Sequence, residues 1–202
     1  MQFDATDPEI NVSEVPRERT HSKVFGIGWA KTGTTTLGRC FEILGYNHQS
    51  QNLSLVAEIM HGNFAKTLRI ASAKDSFEDW PWPLVYREMN SSFPRSQFVL
   101  TTRDPERWLS SYRAMLKAQG PPAPELRTIR SLLFGVDPAI ASDKELVARF
   151  IRHNSEIMEY FKTRPERLLV VDWEAGDSWA KLCDFLDMPI PDVPFPHLNQ
   201  RM

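Results

Sequence analysis

Cysteine is scarce in this chain of 202 residues, and a charge surplus and long apolar runs are missing. The two cysteines, Cys40 and Cys183, each fall inside an apolar helical pattern with no CxxC or CxxH neighbour, which argues against a disulfide framework and a metal site. Both read as buried, reduced thiols. Lysine and arginine number 24 against 26 aspartates and glutamates, so no whole-molecule field draws the chain to nucleic acid or to an anionic membrane. Any anion site must therefore be local. No stretch approaches the length of a membrane span, and the opening segment MQFDATDPEINVSEVPRERT lacks the basic start and apolar run of a leader, so the chain reads as cytoplasmic. Repeats and low-complexity tracts are lacking too. What is there is 42% hydrophobic content, enough for one domain with a full core.

Residues 1–22 are polar, acidic and carry Pro8 and Pro16, and read as a loosely held arm ahead of a single domain over residues 23–202. KVFGIGW is a short apolar run ending in glycine, as expected of a buried strand entering a turn. Leu37, Cys40, Phe41 and Leu44 then recur at helical spacing, with Gly45 as the stop. Further helices are expected over residues 52–62, with Asn52 as N-cap, and over 83–93, closed by Pro94. Residues 97–101 read as a buried strand, followed by a turn and a helix from Pro105 to Ala118. GPPAP, residues 120–124, reads as a rigid surface loop, residues 143–162 as a long amphipathic helix, RLLVVDWE as a third buried strand, and residues 178–186 as the last helix. Residues 65–82 give no clear pattern. The tail MPIPDVPFPHLNQRM carries four prolines, cannot be helical, and is expected to wrap over the surface or the site. Strands alternating with helices argue for a three-layer α/β domain with a mostly parallel central sheet.

The chemistry concentrates in VFGIGWAKTGTTTL, residues 24–37. A strand, a glycine-bearing loop and a helix form the context of a phosphate-binding loop, where backbone N–H groups and the helix dipole cradle an anion. The spacing Gly28-x-x-x-x-Gly33 is that of a nucleotide triphosphatase loop, but the lysine expected after the second glycine stands instead at Lys31. Thr32, Thr34 and Thr35 offer hydroxyl donors around the same point, and Gly33 lets the chain approach a phosphate. Lys31, on the crown, meets what extends beyond the first bound phosphate. This favours a ligand with one phosphate in the nest and a transferable group beside it.

WAKTGTTTL resembles the 5′-phosphosulfate loop of the sulfotransferases, written PKSGTTW, with Lys31, Thr32, Gly33, Thr34 and Thr35 on its K-S-G-T-T. In FVLTTRDPERWLSSYRAM, Arg103 and Ser111 stand at the spacing of the family's second signature, a strand-end arginine and a serine eight residues later. DSFEDWP and PFPHLN are similar to a small branch of that family found in many microbes and marine organisms. The resemblance implies a P-loop-type fold and transfer of a sulfuryl group from 3′-phosphoadenosine 5′-phosphosulfate (PAPS), without metal, to a hydroxyl or amine of a small-molecule or carbohydrate acceptor. It implies that residues 31–36, Thr36 included, bind the donor, with Lys31 neutralising charge on the leaving phosphate oxygen and Arg103 and Ser111 holding the 3′-phosphate. Thr36 stands where many relatives have a tryptophan that stacks on adenine, which leaves Trp29 or Trp108 to hold the purine. The R-K-G segment of the steroid and phenol enzymes is missing, with Arg201 as a possible substitute.

An acceptor's proton needs a base, which the resemblance puts between the second helix and the strand over residues 97–101. Asp79 is the first choice, with Glu78 and Asp75 as alternatives, in KDSFEDWPW, whose tryptophans and prolines can shield a carboxylate and raise its pKa. His48, His61, His153 and His197 lack partners at ligand spacing and read as structural or surface residues. A competing reading rests on LLVVDWE, where Asp172 and Glu174 resemble the magnesium-binding motif of a nucleotide kinase or triphosphatase. A non-catalytic nucleotide-binding module is the third. Oligomeric state is not encoded legibly.

Overall fold

The computed structural model describes residues 22–196 and 198. Among them five short strands, β1 (Val24–Gly26), β2 (His48–Gln49), β3 (Ser76–Phe77), β4 (Gln97–Thr101) and β5 (Leu168–Val171), pair in the order β2-β3-β1-β4-β5, all parallel. Eight α-helices join and flank them: α1 (Thr34–Ile43), α2 (Val56–Met60), α3 (Ala65–Ala73), α4 (Tyr86–Ser92), α5 (Pro105–Gln119), α6 (Pro124–Phe134), α7 (Asp143–Phe161) and α8 (Trp179–Leu186). This is the expected three-layer α/β, P-loop-like fold. No helix among the described residues is long and apolar enough to cross a membrane.

Side-chain alternation along the strands divides the core. Phe25, Phe77 and Phe98 point to one face, with ring centroids 4.6 and 5.6 Å apart around Phe25, and pack on Trp82, Met89 and Phe161. Val24, Val99 and Val171 point to the other, against Leu37, Cys40 and Phe41 of α1 and Trp179, Leu182 and Cys183 of α8. Both cysteines are free and buried, and burial pushes both thiols up, away from the reactive thiolate. A third cluster, in which the rings of Trp108 and Phe150 stack at 4.5 Å, joins α5, α6 and α7 beneath the loop that follows β1.

Local signals explain several boundaries. The Asp104 carboxylate accepts the Arg107 N–H at 2.9 Å and Pro105 fills the first helical position, so α5 starts where the sequence requires. Ser142 caps α7 in the same way, from Glu145 N at 3.2 Å. The expected helix over residues 52–62 is instead a 3₁₀ turn, Leu53–Leu55, followed by the short α2, because the Asn52 side chain accepts the Ser54 hydroxyl rather than a helical N–H. Residues 65–82, without a legible pattern, contain α3 and β3, and the expected loop GPPAP gives way to α6 at its last proline, Pro124. Residues 1–21 of the expected arm, His197 and Arg201 lie outside the described residues.

The strand order places a crevice. From β1 the chain crosses to β2 on one side, and from β4 it continues to β5 on the other, so connections diverge between β1 and β4. Such a switch point opens a binding crevice beyond the carboxyl ends of the strands.

Candidate active site

A cleft of about 660 Å³ occupies that position. All five strand ends feed it: Lys31–Thr36 after β1, Gln51 after β2, Asp79 and Trp80 after β3, Thr102 and Arg103 after β4, and Asp172–Glu174 after β5.

The loop after β1 is pinned from behind by its carbonyls. His153 Nε2 donates to Ile27 O at 2.9 Å, Thr32 Oγ1 to Trp29 O at 2.6 Å, and Trp108 Nε1 to Ala30 O at 3.0 Å. Arg103 Nη1 donates to Lys31 O at 2.8 Å and Trp173 Nε1 to Gly33 O at 3.2 Å. With these acceptors engaged, the loop has few carbonyl lone pairs left to repel an anion. At its end no side chain caps α1, so the first N–H groups of that helix are left for a ligand. The two glycines are explained by packing. A Cβ on Gly28 would lie 2.1 Å from Thr101 Oγ1, and one on Gly33, held at φ 90°, would lie 2.3 Å from the Trp173 ring. Tight packing on Trp173, more than approach to a phosphate, therefore requires Gly33 to be glycine. The buried Thr32 hydroxyl also differs from expectation: it is committed to Trp29 O and, at 2.6 Å, to Thr101 Oγ1, and so braces the loop instead of facing a ligand. Thr34, Thr35 and Thr36 line the cleft, and Thr36 Oγ1 accepts the Leu198 N–H at 3.2 Å. The tail thus crosses the start of α1, anchored by Phe195 on Trp173 and Trp179.

The opposite wall belongs to β4 and α5. Arg103 bridges Lys31 O and the Glu174 carboxylate, which also lies 3.6 Å from Arg107. Neither Asp104 nor Glu106, its sequence neighbours, holds Arg103. Its buried Nε has no partner among the described residues, an orphaned donor beside the loop. Ser111 lies on the same wall. Asp172 is occupied locally, accepting the Glu174 N–H at 2.9 Å.

Of the three candidate bases, only Asp79 lines the cleft. It sits at φ 63°, accepts the Trp80 N–H at 2.8 Å, and is hydrogen-bonded by Gln51. Burial, and then the neighbouring Glu78, push its carboxyl up to about 6, against the Trp80 N–H, the nearby Lys31 charge and Gln51. Glu78 points under α1 instead, is only 3% exposed, and takes the Ser50 hydroxyl near His48. Asp75 precedes β3, where its backbone joins Val24 and Asn47 at the amino ends of the strands, far from the cleft's end of the sheet. Alternation along a strand and the sheet's polarity set the three apart. Trp29 and Trp108, the candidates for adenine, are packed in the aromatic cluster and neither lines the cleft, so neither presents a face to a ligand there. Trp82 is fully buried, whereas Trp80 and Phe134 line the cleft. His153 is buried and neutral: burial pulls its pKa down to about 4, opposed by its bond to Ile27 O.

Residues 23–202 match the sulfotransferase domain family. The chain belongs to that family. It is also similar, at 25% identity over 220 residues, to Ava biosynthesis cluster protein M of Aspergillus versicolor, covering 87% of this chain and 80% of that relative. As a sulfotransferase the protein carries out sulfuryl transfer. The uncapped start of α1, the pinned carbonyls and the orphaned Arg103 Nε all suit phosphate oxygens. No group of acidic, histidine or cysteine side chains able to hold a metal ion occurs among the described residues. The sequence did not single out Gln51, Arg107 or the seat of Trp173 on Gly33. Their one signal was position just beyond a strand end, which becomes visible only when the strands are placed.

Proposed function

We propose that this sulfotransferase binds PAPS with its 5′-phosphate at the start of α1 and passes the sulfuryl group in line to an acceptor bound beside Asp79. One observation carries the reading. Arg103, from the second sequence signature, donates to the Lys31 carbonyl of the first across 72 residues of sequence, so the two signatures form one wall-to-loop unit. PAPS supplies a sulfur whose bond to the bridging phosphate oxygen breaks as a bond to the acceptor oxygen or nitrogen forms.

The N–H groups of Gly33, Thr34 and Thr35 hold the 5′-phosphate, with the helix dipole behind them. Lys31 balances the negative charge that stays on the departing bisphosphate oxygen. Arg103 and Ser111 take the 3′-phosphate. Asp79 accepts the acceptor's proton, and with its carboxyl at about 6 it is mostly ionised at neutral pH while keeping some affinity for a proton. Trp80 keeps bulk water from that carboxylate.

The test is an equilibrium titration with adenosine 3′,5′-bisphosphate in EDTA, set against ATP with magnesium. Micromolar or tighter binding of the bisphosphate without metal is expected, followed by label transfer from PAPS to an acceptor. Binding of ATP with magnesium and not of the bisphosphate would instead favour kinase-like use of Asp172 and Glu174. Bisphosphate binding without turnover of any acceptor would favour a binding module.

A further inference from the structure

The cleft has two chemically different halves that meet at Lys31 and Asp79. One half, from the loop to Arg103, Arg107 and Ser111, is polar and suits a nucleotide. The other is walled by two helical stripes. On α6, Leu126, Ile129, Arg130 and Leu133 recur at i, i+3, i+4 and i+7 and all line the cleft. On α5, Ser111, Met115 and Gln119 follow at four-residue intervals and pass from the polar half to the apolar one. Leu53, Trp80 and Phe134 complete the chamber.

Its back wall is rigid. Phe134 meets Trp80 at 5.5 Å, Trp29 at 4.8 Å and Tyr112 at 5.0 Å, so the chamber keeps its shape without a ligand. Two pairs of its polar groups engage each other: Arg130 donates to Gln119, and Gln51 bonds to Asp79. Against the apolar stripe of Leu126, Ile129 and Leu133 a saccharide's hydroxyls would find no partner and be left desolvated. An amine arrives as an ammonium ion, and the carboxylate it would seek, Asp79, already lies in the field of Lys31.

Resting on the donor reading above, the geometry points to an acceptor that is a compact alcohol or phenol with an apolar body, seated between α5 and α6 with its hydroxyl directed at Asp79. The hydroxyl oxygen bonds to sulfur, its proton passes to the Asp79 carboxylate, and the electron pair of the broken sulfur–oxygen bond leaves on the bisphosphate. Apolar surface of the acceptor fills the chamber against Leu126, Ile129 and Leu133.

The test uses 2-naphthol, followed by its fluorescence with the full chain saturated in adenosine 3′,5′-bisphosphate, and methyl β-glucoside and butylamine as competitors. Naphthol should bind, neither competitor should displace it, and with PAPS it should be sulfated well ahead of both. Leu126→Gln and Ile129→Gln, both half-exposed helix positions, should weaken naphthol about tenfold and leave bisphosphate affinity unchanged, while Ile129→Met keeps both. Displacement by the glucoside, preferred sulfation of sugar or amine, or naphthol binding indifferent to the two glutamine variants would overturn the inference. Naphthol binding that responds to those variants in a protein that does not bind the bisphosphate would sink the donor reading and leave the apolar chamber standing.

Discussion

Lys31 and Asp79 are both held at positive φ, 74° and 63°, and both line the cleft. A left-handed backbone at a residue with a Cβ costs about 1–2 kcal/mol, and strain of this kind persists where the surroundings enforce it. At Lys31 the Arg103 bond to its carbonyl is one contact that holds the loop in place. Two substitutions separate strain from chemistry. Lys31→Ala keeps the strain and removes the ammonium, whereas Lys31→Gly removes both. Turnover should fall about 100-fold in each, but the glycine variant should be more stable than the alanine one by about 0.5–1 kcal/mol, after allowing for the glycine's larger unfolded-state entropy. Urea midpoints and initial rates decide it, and equal midpoints would mean that the loop relaxes when the lysine is lost. Asp79 gives a pH signature. Its folded pKa of about 6 lies above the ordinary 3.8, so the native state binds a proton more tightly than the unfolded chain does. Ionising it therefore lowers stability as pH rises from about 4 to about 6, by up to about 3 kcal/mol in all. Asp79→Asn should lack that slope and gain on the wild type over the same window, levelling off above it. As a base Asp79 must be ionised, so wild-type kcat/KM should rise with pH to a plateau above about 6, while Asp79→Asn should be slower by about 100-fold or more and lose that limb. A rate profile that keeps the limb in Asp79→Asn would assign the base elsewhere.

At the scale of elements, the close approach of β1 and β4 holds the loop in register. Gly28 permits that approach, since an added Cβ would meet Thr101 Oγ1 at 2.1 Å and the Thr101 backbone oxygen at 2.3 Å. Backbone in a central strand pair cannot give way by such a distance, so Gly28→Ala should destabilise by about 3 kcal/mol, read as a lowered urea midpoint. An unchanged midpoint would show that the strands part easily at this end. Elements of this kind were the legible ones. β1, β4 and β5 carry continuous apolar residues, and α5 and α7 carry both caps and amphipathic periodicity. The two-residue strands β2 and β3 were not, because His48–Gln49 and Ser76–Phe77 are too short for any period to show and exist only as partners of longer neighbours. In α3 only Thr67 and Ala71 are buried, one polar and one small, so no apolar stripe marks the helix. α6 did carry a signal, Pro124 at its first position and Leu126, Ile129 and Leu133 on one face, but the prolines before it dominated the reading. For the site, the loop and Arg103 were legible as spacing. The direction of Glu78 was not, since only the register of β3 turns Asp79 to the cleft and Glu78 beneath α1.

For the molecule as a whole, the cleft is assembled from all five strand ends, so a ligand there binds the folded chain and not the unfolded one. Saturation at 100 times its Kd then stabilises the fold by about 2.7 kcal/mol, which for a chain of this size raises Tm by about 5–10 °C. Glu174 pairs with Arg103 and lies 3.6 Å from Arg107, a carboxylate where a phosphate would seek the same cations. That pair is partly exposed, with Glu174 40% accessible, so its hold on the arginines is worth only about 0.2–1 kcal/mol. Three proteins compared at one bisphosphate concentration make the competition visible. Arg103→Ala loses charge-assisted bonds and should show less than about half of the wild-type ligand-induced rise in Tm. Glu174→Gln, freed of the competing charge, should show a rise larger by about 1–3 °C, even where its own ligand-free Tm is slightly lower. The comparison is of shifts, which removes each variant's intrinsic stability, and higher salt should narrow the gap between Glu174→Gln and the wild type, since the ion pair is screened. Identical shifts in all three proteins would mean that the bisphosphate does not meet Arg103, and would detach the second sequence signature from donor binding.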